Sequence, residues 1–160
     1  MVNDPETNSL VPFDFENIYS RVPELKKFDF QVKSISFAPA VDSAMMSPDI
    51  WIKLASIIET NYHEYDGFVV LHGTDTMAYT ASALSFMLHN LAKPVILTGS
   101  QLPLGTVRTD GKENLLTALE IAAAQKNGQP LVPEVCIYFQ DKLFRGNRTT
   151  KYNAEHFHPF

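Results

Sequence analysis

The sequence lacks paired cysteines, and this absence excludes one class of fold. Cys136 is the single cysteine among 160 residues. Without a partner in the chain it cannot belong to an intrachain disulfide framework, which is how many small secreted domains are stabilised. Its position within an apolar run favours a buried core residue over a reactive thiol. The cysteine content fits a reducing compartment, and we expect a cytoplasmic protein.

Long apolar runs and a hydrophobic leader are also missing. A membrane-spanning helix needs about 20 predominantly apolar residues, and no run in this sequence approaches that length. The first ten residues are largely polar, whereas a secretory leader carries a continuous apolar segment. We therefore expect neither a membrane span nor a signal peptide.

Positive charge is scarce in this chain. Thirteen Lys and Arg residues stand against 18 Asp and Glu residues, so the formal net charge is −5. Nucleic-acid backbones are bound by clustered Lys and Arg, and the one local basic cluster, residues 145–151, is short. The charge balance argues against nucleic-acid binding. A hydrophobic content of 45% is ordinary for a globular domain with a real core.

Glycine-rich phosphate loops and metal-ligand patterns are absent as well. Gly99 and Gly105 are too isolated to form a dinucleotide-binding fingerprint. The five histidines show no zinc-like pairing with the cysteine or with one another, so the sequence predicts no metal site. A triad of the Ser-His-Asp kind would need His72, and its position two residues before Thr74 makes the required geometry unfavourable.

Apolar patterning predicts strands alternating with helices. Continuous apolar runs at 68–71, 95–97 and 135–139 are typical of strands buried in a parallel sheet. The segment Phe28–Phe37 alternates apolar with polar residues and predicts a further strand. Because helical segments separate these strands, the connections are expected to be βαβ crossovers. The sequence therefore predicts an α/β fold with a mainly parallel sheet.

Three longer helices are predicted between the strands, after a short one at residues 15–21. Ser47 and Pro48 give the first of the three a capping residue and a proline at the first helical position. The second is expected at residues 76–91 and the third at 112–125. We expect the second helix to bury a face made of Tyr79, Ala83, Phe86, Met87 and Leu91.

Polar residues follow the ends of the predicted strands. Thr74 and Asp75 come shortly after the strand at 68–71, and Asp42 and Ser43 follow the strand at 28–37. Open parallel sheets bind ligands outside the carboxyl ends of their strands. Thr and Asp at such a place also serve as helix caps, however. The residues alone leave a helix cap and a reactive site both open.

Lys151 could complete a reactive site. A hydroxyl nucleophile can be activated by a lysine whose pKa is lowered by burial. Lys151 with Thr74 and Asp75 would supply a base, a hydroxyl and an orienting carboxylate. The competing interpretation of Lys151 is an exposed surface charge, because lysine is rarely buried unless it is paired.

Four segments, in the same order, resemble the bacterial type I (cytoplasmic) L-asparaginases. They are His72–Leu88 (HGTDTMAYTASALSFML), Pro94–Gln101, Arg108–Leu115 and Phe144–Lys151. The resemblance extends over nearly the whole chain from Asp42 onward. It implies a three-layer αβα arrangement in the larger, N-terminal domain of a two-domain enzyme that hydrolyses L-asparagine to L-aspartate and ammonia. It further implies no cofactor, and a homodimer or homotetramer in the full-length form.

The resemblance also implies roles for individual residues. Thr74, Asp75 and Lys151 correspond to a catalytic group of hydroxyl, carboxylate and base, and Asp75 also binds the amino group of the substrate. Asp42 and Ser43 correspond to residues that hold the α-carboxylate and amine ends of the substrate. The neighbouring pair Ala44-Met45 departs from the usual polar pair, which leaves asparagine and glutamine open as preferred substrates.

The family pattern includes two further parts that these 160 residues do not show. One is a Gly-Gly-Thr-Ile-Gly turn whose threonine is the attacking nucleophile, and the other is a second, smaller domain after Lys151. We expect residues 1–160 to be a partial N-terminal domain and to be inactive alone. Two alternatives stay open. One is a non-enzymatic remnant that binds amino acids or full-length subunits. The other is the amidase subunit of a tRNA-dependent amidotransferase, which the acidic charge disfavours.

Overall fold

The computed structural model describes residues 2–3, 10–11, 22–101, 109–152 and 160, and the structural statements below concern this part of the chain. The helix predicted at 15–21 lies outside the described residues, as do Arg108, Gly105 and the last two histidines.

In chain order the described elements are β1 (Val2–Asn3), β2 (Leu10–Val11), a 3-10 helix (Pro23–Lys27), a second 3-10 helix (Ser43–Met45), α1 (Pro48–Asn61), β3 (Phe68–Leu71), α2 (Met77–Met87), β4 (Val95–Thr98), α3 (Gly111–Ala123), β5 (Gln125–Lys126), β6 (Gln129–Pro130), β7 (Val135–Phe139), β8 (Lys142–Arg145) and a third 3-10 helix (Gly146–Arg148).

A four-stranded sheet in the order β3-β4-β7-β8 forms the centre of the described structure. β3, β4 and β7 run parallel, and β8 returns antiparallel to β7. The three parallel strands lie where the apolar runs predicted them. The two shorter sheets, β1 with β2 and β5 with β6, are antiparallel pairs of two-residue strands.

Helices cover both faces of the four-stranded sheet and complete three layers. On one face, Val95 and Leu97 of β4 are buried in a cluster that includes side chains of α1 and α2, among them Leu84. On the other face, Ile96 is buried against Ala118 of α3. Successive residues of β4 therefore point to opposite layers, as the pleat of a strand requires. The predicted α/β fold with a mainly parallel sheet is confirmed.

α1 begins where its sequence indicates, and a lysine from a distant part of the chain binds the carbonyl groups that follow its last turn. Pro48 is the first helical residue, and Ser47 before it is extended. Beyond the other end of α1, the Lys93 ammonium donates hydrogen bonds to the carbonyl oxygens of Tyr62 and Tyr65 at 2.5 and 2.7 Å. A cation near the carboxyl end of a helix is favourable because it complements the helix dipole and satisfies free carbonyl groups.

The strand predicted at Phe28–Phe37 is wrong. This segment is irregular and pairs with no strand among the described residues. Its apolar side chains do not form one face: Phe28 and Val32 pack against a cluster that includes Leu115, whereas Phe37 packs against the other cluster that includes Leu84. The rings of Phe28 and Phe30 stack with centroids 4.9 Å apart, and the Lys53 ammonium lies 4.9 Å from the centroid of the Phe37 ring. The alternation also changes phase after Val32, so a single extended strand could not bury all of it on one side.

The buried face predicted for α2 is wrong for Tyr79 and Phe86, whereas Leu91, beyond the end of the helix, does pack against the core. Tyr79 and Phe86 are each 68% exposed, and α2 instead buries Met77, Ala81 and Leu84. Apolar residues occur around most of this helix, so helical spacing does not single out one face. The third 3-10 helix lies close to α2 at Gly146, where an added Cβ would be 3.1 Å from the Ala81 carbonyl oxygen. Packing against the sheet therefore selected the face with the smaller residues.

β8 was not predicted. It follows β7 through a two-residue turn, and both turn residues, Gln140 and Asp141, have positive φ angles of 44° and 62°. Two-residue hairpin turns favour such angles, and Asn-Gly or Asp-Gly is their usual signal. Gln-Asp is not such a signal, so no hairpin was expected here.

None of the helices in the described ranges is long and apolar enough to cross a membrane.

Candidate active site

Three of the predicted site residues meet at the carboxyl end of the parallel strands. Thr74 and Asp75 follow β3, and Lys151 follows the last 3-10 helix. The Lys151 Nζ donates to Thr74 Oγ1 at 3.0 Å and to Asp75 Oδ1 at 3.0 Å. Lys151 and Thr74 are 77 positions apart in the sequence, so tertiary folding alone makes this contact.

The three side chains differ in exposure. Thr74 is buried, the Lys151 side chain is 15% exposed, and the Asp75 side chain is 65% exposed. Solvent screens an ion pair with so exposed a carboxylate, so this pair contributes little to stability. It does hold the Lys151 Nζ beside the Thr74 hydroxyl. A lysine in its neutral form could accept the hydroxyl proton at this distance.

Ser43 is brought to the same edge of the sheet. Thr76 Oγ1 donates to the Ser43 carbonyl oxygen at 2.6 Å. The Ser43 side chain occupies the space beside Gly73, because a Cβ atom added there would lie 2.3 Å from Ser43 Oγ. Gly73 is therefore required for this close approach. The contact ties the 3-10 helix at 43–45 to the turn that carries Thr74.

Asp42 lies next to Ser43 but makes no hydrogen bond to Thr74, Asp75 or Lys151 within the described structure. Its carboxylate accepts from the Ala44 backbone N–H at 2.9 Å, which caps the short 3-10 helix. The Asp42 side chain is exposed.

A buried asparagine organises the adjacent strand ends. Asn114 in the first turn of α3 donates to the Gly99 carbonyl oxygen at 2.9 Å and accepts from the Gln140 N–H at 3.3 Å. It also donates to Asp110 Oδ2 at 3.3 Å, and the same carboxylate accepts from the Gln101 N–H. Sequence reasoning noted Asn114 only within a family motif. In the sequence, Asn114 is a polar residue among the apolar positions of this helix, and that pattern could have indicated a buried side chain with hydrogen-bond partners.

His72 is directed away from Thr74. Its Nδ1 lies 2.6 Å from the Gly73 carbonyl oxygen, and its Nε2 lies 2.9 Å from Thr80 Oγ1. Burial lowers the pKa of His72, and the bond to the Gly73 carbonyl opposes this only in part. A triad through His72 and Thr74 therefore has no support in the geometry.

Cys136 lies in the core at the face covered by α3. Burial raises the pKa of its thiol to about 12. The thiol therefore stays protonated at neutral pH and is a poor nucleophile, in agreement with the core role expected from the sequence. Among the residues that the structure describes, no group of three or more His, Cys, Asp and Glu side chains could hold a metal ion.

Known proteins are similar to this chain in both sequence and fold. The chain is 51% identical over 138 residues to L-asparaginase 1 of Escherichia coli K12, a match that covers 86% of the chain and 38% of that protein. It is 55% identical over 122 residues to the 60 kDa lysophospholipase of Mus musculus, covering 76% of the chain and 21% of that protein. The chain thus spans well under half the length of these relatives.

A solved structure gives the same result. The crystal structure of L-asparaginase I from Vibrio cholerae matches with a TM-score of 0.81 and 45% identity, over 96% of this chain and 45% of that one. A family model described as the N-terminal part of asparaginase matches residues 1–160. The chain belongs to the asparaginase family.

Proposed function

We propose that the protein containing this chain hydrolyses the side-chain amide of L-asparagine to L-aspartate and ammonia. The observation that carries the proposal is the Lys151 Nζ, which lies 3.0 Å from both Thr74 Oγ1 and Asp75 Oδ1. The membership in the asparaginase family and the similarity to L-asparaginase 1 support the same reaction.

In this proposal, Lys151 and Thr74 transfer the protons of the reaction. Neutral Lys151 accepts the Thr74 proton, and Thr74 in turn takes the proton of the attacking hydroxyl group, which belongs to the threonine nucleophile that the family resemblance implies. A carbon–oxygen bond forms at the amide carbon, and the carbon–nitrogen bond then breaks. The proton held on Lys151 passes to the departing nitrogen, which leaves as ammonia. Water then hydrolyses the ester and releases L-aspartate.

The exposed carboxylates are proposed to bind the substrate. Asp75 points its carboxylate towards solvent while one oxygen holds Lys151, so the other oxygen can receive the α-ammonium group. Ser43 lies beside Gly73, and Asp42 adjoins it, which supports their roles at the α-carboxylate and amine ends. No cofactor is part of this proposal.

A matched pair of lysine substitutions tests the roles of these residues. Lys151→Met in the whole protein removes the base but keeps a side chain of similar length. We expect ammonia release from L-asparagine to fall by at least about a thousandfold, as when a member of a catalytic group is removed. Lys142→Met on the exposed strand β8 serves as the control and should keep parental activity. Retention of more than a tenth of the activity in Lys151→Met would remove Lys151 from the proposed mechanism.

A second candidate function rests on one relative. The mouse protein that is 55% identical over 122 residues bears the name 60 kDa lysophospholipase. The same hydroxyl and lysine could open a carboxyl ester, since ester cleavage also proceeds through attack on a carbonyl carbon. Assaying the parent protein with lysophosphatidylcholine beside L-asparagine separates the two. Fatty-acid release that disappears in Lys151→Met would favour the ester reaction.

The two alternatives drawn from the sequence stay predictions. The amidotransferase hypothesis requires ammonia from L-glutamine to be delivered to a charged tRNA, and the remnant hypothesis requires binding without turnover. Comparing L-asparagine with L-glutamine as ammonia donors, with and without glutamyl-tRNA, distinguishes these cases from the proposed reaction.

We also propose that the whole protein is a homodimer or homotetramer in the cytoplasm. The exposed rings of Tyr79 and Phe86 support an interface on α2, because aromatic residues are enriched where subunits meet. The lone cysteine supports a reducing compartment. Light scattering after size exclusion gives the subunit number, and a monomer at micromolar concentration would contradict the oligomer.

A further inference from the structure

Three polar side chains from separate elements form a continuous chain of hydrogen bonds behind the candidate active site. Trp51 of α1 donates from Nε1 to Thr80 Oγ1 at 2.9 Å. Thr80, on α2, lies 2.9 Å from His72 Nε2, and His72 Nδ1 lies 2.6 Å from the Gly73 carbonyl oxygen. The chain ends on the residue immediately before Thr74, and none of its three side chains has a role in the proposed reaction.

The donors and acceptors in this chain have a single consistent arrangement. The indole N–H can only donate, so Thr80 Oγ1 accepts from Trp51. A carbonyl oxygen can only accept, so His72 Nδ1 carries a proton. Because burial lowers the pKa of His72, the ring is neutral at pH 7 and its Nε2 has no proton. The Thr80 hydroxyl therefore donates to Nε2. All three contacts run in one direction, from Trp51 to the Gly73 carbonyl.

This arrangement fixes the peptide unit between Gly73 and Thr74. The His72 ring holds the carbonyl oxygen of Gly73, and the Ser43 side chain occupies the space where a Cβ would project. Gly73 has no side chain to restrict its own backbone, so these two contacts do so in its place. Thr80 is fully buried, so water does not compete at its hydroxyl, although the contact between His72 and the Gly73 carbonyl is exposed.

We propose that His72 is a positioning residue for Thr74, held in its Nδ1-protonated form by the hydroxyl of Thr80, which Trp51 orients. This proposal rests on the proposed function, since its effect is on the reaction of Thr74 with the amide. The ring does not touch the reacting atoms. It sets the direction of the peptide from which the Thr74 side chain projects towards Lys151.

The competing explanation is a purely structural network. Buried polar groups are usually hydrogen-bonded, and Trp51, Thr80 and His72 could satisfy one another without any effect on Thr74. The two explanations predict different effects of substitutions on kcat. A structural network affects stability alone, whereas a positioning chain also affects the turnover of bound substrate.

Three substitutions in the whole protein separate these explanations. Thr80→Val removes the hydroxyl with little change in shape, and Thr80→Ser keeps it. Ser85→Ala is the control, because Ser85 lies on the same helix and, among the described residues, its hydroxyl bonds to the Ala81 carbonyl and not to Thr80 or His72. We expect Thr80→Val to lower kcat about 3- to 10-fold with KM within twofold, the size expected for one neutral hydrogen bond. Thr80→Ser should restore kcat to within twofold of the parent, and Ser85→Ala should leave it unchanged.

Nitrogen-15 NMR of the histidine rings tests the chain without any assay of activity. In the parent protein at pH 7, His72 should show a proton on Nδ1 and an unprotonated Nε2. Thr80→Val should move the backbone amide resonance of Thr74, and Ser85→Ala should not. A proton on His72 Nε2, or a Thr74 amide that does not respond to Thr80→Val, overturns the proposal even if a variant is too unstable for kinetics.

The two proposals can fail separately. Absence of amide hydrolysis in the parent protein overturns the proposed function, while the NMR measurements still report on the hydrogen-bond chain. Normal hydrolysis with an unchanged kcat in Thr80→Val and a lowered Tm leaves only the structural network, and overturns the positioning role.

Discussion

At the scale of single residues, the candidate site depends on close approaches that leave no room for larger groups. Gly73 is the clearest case, because the space for a Cβ there is filled by Ser43 Oγ and by Ser43 Cβ at 2.6 Å. The same turn carries Thr74 and is held by His72. Adding a methyl group at Gly73 is therefore expected to displace both the 3-10 helix at 43–45 and Thr74.

Substituting Gly73 tests this coupling. Gly73→Ala should displace Ser43 and destabilise the protein by about 1 to 3 kcal/mol, the usual cost of overpacking. Ser43→Gly in the same chain removes the clashing atoms and should recover part of that loss. Denaturant unfolding of the parent, both single variants and the double variant gives the coupling energy. Strictly additive effects would show that the two residues are not in contact.

His72 makes stability depend on pH in a defined direction. Because burial lowers its pKa in the folded state, the unfolded chain binds a proton at this residue first as the pH falls. Its contribution is complete above about pH 6.5, the unperturbed value for histidine, and is lost as the pH decreases from there towards the folded pKa. The groups that contact the ring, Thr80 and the Gly73 carbonyl, do not titrate in this range.

The measurement compares the parent protein with His72→Asn. The free energy of unfolding of the parent should decrease more steeply between pH 7.5 and pH 5 than that of the variant. Equal slopes would mean that His72 titrates normally in the folded protein, and the neutral ring at the centre of the hydrogen-bond chain would be wrong.

At the scale of elements, α2 shows why an apolar helix is hard to orient from sequence. The side with Met77, Ala81 and Leu84 packs against the sheet, and Tyr79 and Phe86 are exposed.

Leu84→Ala should lower the free energy of unfolding by about 2 to 5 kcal/mol because it opens a cavity in the core. Phe86→Ala should change stability by less than about 0.5 kcal/mol in the monomer. Chemical denaturation of both variants measures these losses. A larger loss for Phe86→Ala than for Leu84→Ala would contradict the observed orientation of α2.

Asn114 joins α3 to the ends of two strands. Asn114→Ala leaves the Gly99 carbonyl and the Gln140 N–H without this partner in a partly buried place, so we expect a loss of about 2 to 4 kcal/mol. Asn61→Ala is the matched control, since the Asn61 side chain makes a single described hydrogen bond, to the Ile57 carbonyl within α1. The control should lose less than about 1 kcal/mol. Similar losses in urea unfolding would show that Asn114 contributes no more than a local contact.

At the scale of the whole molecule, the described structure supplies a mainly parallel sheet and, where its parallel strands end, the side chains to which we assign proton transfer. The family resemblance places the attacking threonine in a Gly-Gly-Thr-Ile-Gly turn, a sequence that residues 1–160 do not contain. We therefore expect the 160 residues expressed alone to release no ammonia from L-asparagine, whereas under the proposed function a protein that also carries this turn releases it. Turnover by the 160 residues at a rate comparable with the whole protein would place the nucleophile within them, and Thr74 would be the first candidate.

The sequence by itself determined the class of fold, the three parallel strands and the three α-helices. The apolar runs located β3, β4 and β7, because a strand covered on both faces has no polar positions to interrupt it. Pro48 located the start of α1, because the fixed φ angle of proline suits the first helical position. The Ser47 side chain, expected to cap the helix, makes no capping hydrogen bond in the described structure. Thr74 and Asp75 were singled out for a related reason, since ligands bind beyond the carboxyl ends of parallel strands. Asp42 and Ser43 were singled out on the same rule, but the strand expected before them at 28–37 is absent from the described structure.

Tertiary structure decided what the local sequence left open. It left the segment at 28–37 irregular, chose the buried face of α2 and formed the hairpin at Gln140 and Asp141. It also brought the Lys151 Nζ to Thr74 across 77 positions of sequence, and aligned Trp51, Thr80 and His72 behind Gly73. Contacts of this kind depend on how helices pack against the sheet, and that packing is set by the shape of the assembled core rather than by the neighbours of any residue in the chain.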